Sequence, residues 1–127
     1  MLGKTITGLM LIVAAIHLVP IAGFFGAKPL SALYGIDVDN SDLIILMRHR
    51  AVLFGILGTF FAYAAFVPAV QPIAFVAAAA SLGSFFYLAS AAGGYGASIR
   101  KIVLGDAIAA LCLVGAIIVY AMKGESQ

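Results

Sequence analysis

A chain of 127 residues in which 65% are hydrophobic and only 9% charged, with a mean hydropathy of +1.19, is not composed like a water-soluble domain. Soluble domains carry about 25% charged and about 45 to 50% apolar residues. Seven basic and five acidic side chains, a net charge of +2, are too few and too scattered for a nucleic-acid footprint, and the single Cys112 excludes an intrachain disulfide scaffold.

A membrane-crossing helix needs about 20 mostly apolar residues, and four stretches of this length follow one another: Thr5 to Phe25, Leu43 to Val67, Pro72 to Ala92 and Ile99 to Met122. The runs are continuous rather than alternating, which favours helices over barrel strands. The expected fold is all-α: one polytopic domain over 1–127, an antiparallel bundle of four transmembrane helices. Lys4 ahead of the first run resembles the start of a signal peptide, but the run exceeds an h-region of about 7 to 15 residues, so it is read as a retained span.

In the first span Pro20 removes a backbone donor and predicts a kink that frees the Ile16 carbonyl, with His17 beside it as a possible partner for the loosened backbone. The first loop, roughly Gly26 to Asp42, has room for a short interfacial helix over Pro29 to Tyr34 that Gly35 would end. The second span carries Ala51, Gly55, Gly58 and Ala62 on one stripe. Ala77, Ser81 and Ser84 in the third and Gly105, Ala109, Cys112 and Ala116 in the fourth form similar stripes. In lipid, helices associate through such small residues and through buried polar contacts, so each stripe predicts a helix contact. Pro68 to Pro72 and Gly93 to Ser98 read as turns, and Tyr34, Tyr63, Tyr87, Tyr95 and Tyr120 as mainly interfacial anchors.

Lys28, Arg48, Arg50, Arg100 and Lys101 fall on the side of loops one and three, against Lys4 and Lys123 on the other. This asymmetry predicts cytoplasmic loops one and three, with both termini outside.

The ionisable residues within the spans are the informative ones. At 1.5 Å of rise per residue, His17 lies about 12 Å, and His49 and Asp106 about 10 Å, from the loop-one and loop-three ends of their helices. Alternating helices would bring His17, Arg48, His49, Arg50 and Asp106 to one layer. Such groups cost about 2.5 to 3.5 kcal/mol each near a helix centre, so they are expected to face inward and pair. Asp106 is expected to meet Arg48 or Arg50. Arg48, on the stripe of Ala51 and Gly55, is the first candidate for the buried arginine.

The preferred reading of this layer is a site for a small or lipid-like anionic ligand, formed by Arg48, His49, Arg50 and Asp106 with His17 and Tyr34 as secondary members. Four alternatives stand beside it. The polar groups could only fix helix packing, in a structural or accessory subunit of a larger membrane complex. His49 or His17 could act as general acid or base on an apolar substrate. A homo-oligomer could form a small transporter. His17 and His49 could be axial ligands of haem b. No cofactor and no metal site is expected beyond that alternative, because two histidines and one aspartate on three helices lack a metal-ligand spacing. Membrane lipids are the expected surroundings.

Leu33-Tyr-Gly-Ile-Asp37 in the first loop and Arg48-His-Arg-Ala-Val-Leu-Phe-Gly55 entering the second span carry a resemblance over the whole chain. The chain resembles a family of small bacterial four-span membrane proteins often labelled phosphopantetheine adenylyltransferase. The resemblance implies a bacterial inner-membrane location and groups Tyr34, Asp37, Arg48, His49 and Arg50 as one feature. Adenylyltransferase activity is not expected. Those soluble enzymes carry a His-x-Gly-His signature, and neither His17 nor His49 is followed by it.

Overall fold

The computed structural model describes residues 1–127 as helices joined by short turns, with no strand. Helix α1 spans Leu2–Leu18, α2 Ala27–Tyr34, α3 Ser41–Phe66, α4 Gln71–Ala91 and α5 Ala97–Glu125. Two 3-10 segments, Val19–Phe25 and Pro68–Val70, extend α1 and precede α4. Four helical stretches are long and apolar enough to cross a membrane: Leu2–Phe25, Ser41–Phe66, Pro68–Ala91 and Ala97–Glu125. They contain the four predicted runs with small shifts at the ends.

Each boundary has a local cause. Pro20 cannot donate to the Ile16 carbonyl, and the chain tightens from α to 3-10 geometry at Val19. The predicted kink is therefore a change of helix type. Helix α2 begins two residues before the expected Pro29 and ends where expected: Gly35 takes φ +66 and returns its N–H to Ser31. Asn40 caps α3 by accepting from the N–H groups of Asp42 and Leu43 at 2.8 and 3.3 Å. Pro68 forces Val67 into extended geometry, which stops α3.

Helix α1 packs against both α3 and α5, and α4 completes the arrangement by packing against α5 and α3. A Cβ at Gly58 would lie 2.7 Å from the Leu18 side chain and 3.1 Å from the Ala14 carbonyl oxygen. At Gly55 it would lie 2.8 Å from Ile21. The second-span stripe is thus a close helix contact, as predicted. Thr7 Oγ1 adds an interhelical bond, donating to the Ala65 carbonyl at 2.7 Å. In α5 the stripe is buried at Ala109 and Ala116, joined by Leu113, while Gly105 and Cys112 are half-buried.

The third-span stripe is met in part. Helix α4 buries Gln71, Ala74, Phe75, Ala78 and Leu82, with Ala77 and Ser81 half-buried at the edge of that face and only Ser84 outside it. Phe75 fixes the rotation by meeting the Tyr120 ring edge-on at 5.5 Å between centroids, and Gln71 by donating to the Ala64 carbonyl at 3.2 Å. Ser84 is exposed and turns its hydroxyl to the Ser81 carbonyl.

The main core joins Met10, Val13, Phe61, Ala78 and Leu113, whereas a second, smaller core beneath α2 holds Leu30, Tyr34 and Val38 against α3 and α5. The remaining surface is apolar: Leu46, Ile56, Phe66, Val76, Leu88, Leu104 and Leu111 are all exposed. Leucines outside and alanines inside invert the size pattern of a soluble core, as expected where lipid rather than water is the solvent.

Candidate functional site

Between the two cores lies a half-enclosed cavity of about 390 Å³. Its lining is drawn from α1 with its 3-10 extension, α2, α3 and α5. Gly105 contributes to the space: a Cβ on it would meet nothing within 4 Å. Ile16, Val19 and Pro20 form one wall, Leu33 and Tyr34 come from α2, and Phe54 and Ile102 supply further apolar surface.

Three charged side chains face this space: Arg50 from α3, and Lys101 and Asp106 from α5. Arg50 is half-buried. Its Nη1 donates to the Tyr34 hydroxyl, and its guanidinium lies 4.6 Å from the centre of the Phe54 ring and 5.3 Å from that of Tyr34. Two aromatic faces and one hydroxyl thus hold the cation in place while leaving further N–H donors available. Tyr34 is only 6% exposed. Burial pushes its phenol above the ordinary value, with the Arg50 cation pulling weakly the other way, so its hydroxyl stays protonated and neutral. Accepting from Arg50 leaves that proton free for another acceptor.

Asp106 faces the same cavity, half-buried, while the hydrogen bond of Arg50 goes to Tyr34 rather than to this carboxylate. The expected Asp–Arg pair is therefore replaced by two opposite charges that line one cavity without a direct bridge.

Arg48 is corrected from buried to exposed. It does share its stripe with Ala51 and Gly55, but the 3-10 segment those residues pack against ends at Phe25. Nothing remains to cover Arg48, which instead donates its Nε to the Phe24 carbonyl at 2.7 Å and lies 5.0 Å from the Phe24 ring centre. His49 is also exposed, because a 100° step per residue turns it outward when Arg50 faces in. Asp37 is exposed too, so only Tyr34 and Arg50 of the grouped residues meet directly.

His17 is 2% exposed and stands behind the cavity rather than in its wall. Its Nδ1 lies 2.9 Å from the Val13 carbonyl and its Nε2 3.0 Å from Ser81 Oγ. A carbonyl can only accept, so Nδ1 carries a proton and donates to Val13, while Nε2 shares a hydrogen bond with the Ser81 hydroxyl. The backbone partner is thus Val13, not the predicted Ile16. Phe54 stacks on the same ring at 5.9 Å and Phe61 meets it edge-on at 4.8 Å. Both ring nitrogens are engaged within the bundle, and His49 sits on an exposed surface, so the two histidines do not form a facing pair of axial ligands. No three of the His, Cys, Asp and Glu side chains gather as a metal site.

Sequence reasoning passed over Lys101, Ser98 and Phe54. Ser98, Lys101, Ile102, Gly105 and Asp106 recur at three- and four-residue spacing, which places them on one helical face, and all line the cavity. That face was legible once Asp106 was taken as its anchor. Phe54, four residues beyond Arg50, carried a similar signal.

The chain matches no known family model, no curated protein and no solved structure.

Proposed function

We propose that the chain is a multi-pass membrane protein, an antiparallel four-helix bundle, whose cavity binds a small or lipid-like anionic ligand. The observation that carries this reading is the pair Arg50 and Asp106, which face one apolar-walled cavity of about 390 Å³ without spending the arginine's hydrogen bond on the carboxylate. In this reading Arg50 and Lys101 attract a carboxylate or phosphate, the Tyr34 and Ser98 hydroxyls add donors, and Asp106 accepts from a donor on the ligand. The apolar wall takes its hydrocarbon part. Two cations against one carboxylate favour a net negative ligand.

The membrane arrangement is supported by the contacts of α1 with α3: Thr7 reaches Ala65, Ala14 meets Gly58, and Gly23 approaches Ala51. We place loops one and three in the cytoplasm, following the chain's basic residues, and the bacterial inner membrane rests only on the resemblance carried by Leu33 to Asp37 and Arg48 to Gly55.

Native mass spectrometry of the intact protein released from gentle detergent tests the reading. The expected spectrum carries a stoichiometric adduct that Arg50→Gln and Lys101→Gln each weaken by about tenfold, the value of one charge-assisted hydrogen bond. A bare chain at sequence mass, with both variants indistinguishable from it, would overturn it. The buried His17–Ser81 contact favours a second reading for the inner part of the layer, in which polar groups only set helix register. That reading predicts that Arg50→Gln and Asp106→Asn together retain stability and cost no bound species.

A further inference from the structure

A second recess lies on the outside of the bundle, where the 3-10 segment Val19–Phe25 runs against α3. It is an open groove of about 530 Å³ lined along α3 by the exposed Val52, Ile56 and Thr59 over the buried Ala51 and Gly55, with Ile21 and Phe24 on the facing side. Gly55 lets the facing wall seat directly on α3: a Cβ there would lie 2.8 Å from Ile21. From Ala51 to Thr59 the groove follows α3 for about 12 Å. This is less than half of a hydrocarbon core about 30 Å thick, so it suits a portion of one chain rather than a whole helix.

Arg48 stands at the head of this groove, one turn before Ala51 and Val52 on the loop-one side. Its Nε is tied to the Phe24 carbonyl and its plane rests near the Phe24 ring, itself part of the groove wall. Those contacts orient the guanidinium and leave both Nη groups free, on an exposed residue. A guanidinium presents its two Nη groups well to a phosphate. Arg48 lies about 10 Å from the Ser41 end of a helix about 39 Å long, which puts it near the boundary of the hydrocarbon layer. The order along the helix is therefore cation at the boundary, then an apolar trough leading inward.

We infer that this groove is a phospholipid site, in which Arg48 holds the phosphate of an anionic lipid and one acyl chain lies along Val52, Ile56 and Thr59. An anionic lipid is favoured over a zwitterionic one because Arg48 has no acidic side chain among its contacts to balance it, so a headgroup amine would meet only repulsion. The site is separate from the cavity of Arg50 and Asp106, whose lining it does not share.

The test is native mass spectrometry of the full chain from nanodiscs of phosphatidylcholine doped with phosphatidylglycerol. The wild type is expected to retain one phosphatidylglycerol in preference to phosphatidylcholine by about tenfold, and Arg48→Gln to erase that preference. His49→Gln, an exposed neighbour that lines neither the groove nor the cavity, should keep it. Thr59→Phe, which fills the inner end of the groove from an exposed position, should lower retention with Arg48 intact, and it serves also if Arg48→Gln fails to fold. Equal retention of the two lipids, retention untouched by Arg48→Gln and Thr59→Phe, or loss only in Arg50→Gln would each overturn the site. A dimer that protects Arg48 from modification by a dicarbonyl reagent would overturn it as well, by giving the groove to a second copy.

Discussion

His17 illustrates how a polar side chain becomes tolerable within an apolar bundle. Every polar atom of its ring has a partner, one in its own helix and one in α4, and aromatic rings close the rest. Ser81→Ala removes the hydrogen-bond partner of Nε2 and is expected to cost about 0.6 to 2 kcal/mol, read as a lower midpoint in chemical or thermal unfolding. An unchanged midpoint would show that the ring finds another partner. Tyr34 gives a pH dependence of known sign. Its folded phenol is shifted up by burial, so its contribution is fully present below the unfolded value of about 10 and is lost as pH rises through the folded value. Tyr34→Phe is therefore expected to flatten the alkaline fall in stability. An absorbance titration of the phenolates should lose its late-titrating member in the same variant.

The helices depend on a few close approaches. Gly58 lets α1 and α3 meet at backbone distance, and because one of the atoms in the way is the Ala14 carbonyl oxygen, relaxation of side chains cannot fully accommodate a larger residue. Gly58→Val is expected to destabilise the bundle by about 1 to 3 kcal/mol, checked by unfolding in mixed micelles. Gly35 acts differently. Its φ of +66 ends α2, and a Cβ would lie 2.5 Å from Ser98 Oγ, at the start of α5. Gly35→Ala should cost about 1 kcal/mol from backbone strain. By displacing α2 it should also loosen the cap over the cavity, which a fall in adduct retention at unchanged helix content would report. Helix ends such as Gly35 and Pro68 were readable in advance because their causes lie within a few residues. The face that α4 buries was not. Its apolar residues surround the helix, so periodicity could not put Ala74, Ala78 and Leu82 at the centre of that face with Ser81 at its edge, and the choice fell to the Phe75–Tyr120 and Gln71–Ala64 contacts.

Taken as a whole, the chain has one well-packed end, near its termini, and one open end that carries the cavity and most of the basic residues. If loops one and three face the cytoplasm, a cysteine-free Cys112→Ala chain bearing Ser126→Cys should react in intact cells with an impermeant thiol reagent. Asp39→Cys should react only after permeabilisation; the reverse pattern would turn the bundle over. Composition and run length were enough to establish four apolar helices, because the length and hydropathy needed to cross a bilayer are summed along the chain and need no partner. Depth along the spans also grouped Arg50 and Asp106 in one layer, together with Arg48, His49 and His17, which lie outside the cavity wall. What no run of residues could decide was which of Arg48, His49 and Arg50 turns inward. Their directions differ by 100° per residue, and which direction is covered depends on where the 3-10 segment of another span stops, at Phe25. Tertiary packing placed Arg50 over Phe54, left Arg48 beyond the end of its neighbour, and put His17 behind the cavity wall, because burial is a property of what the other helices bring alongside.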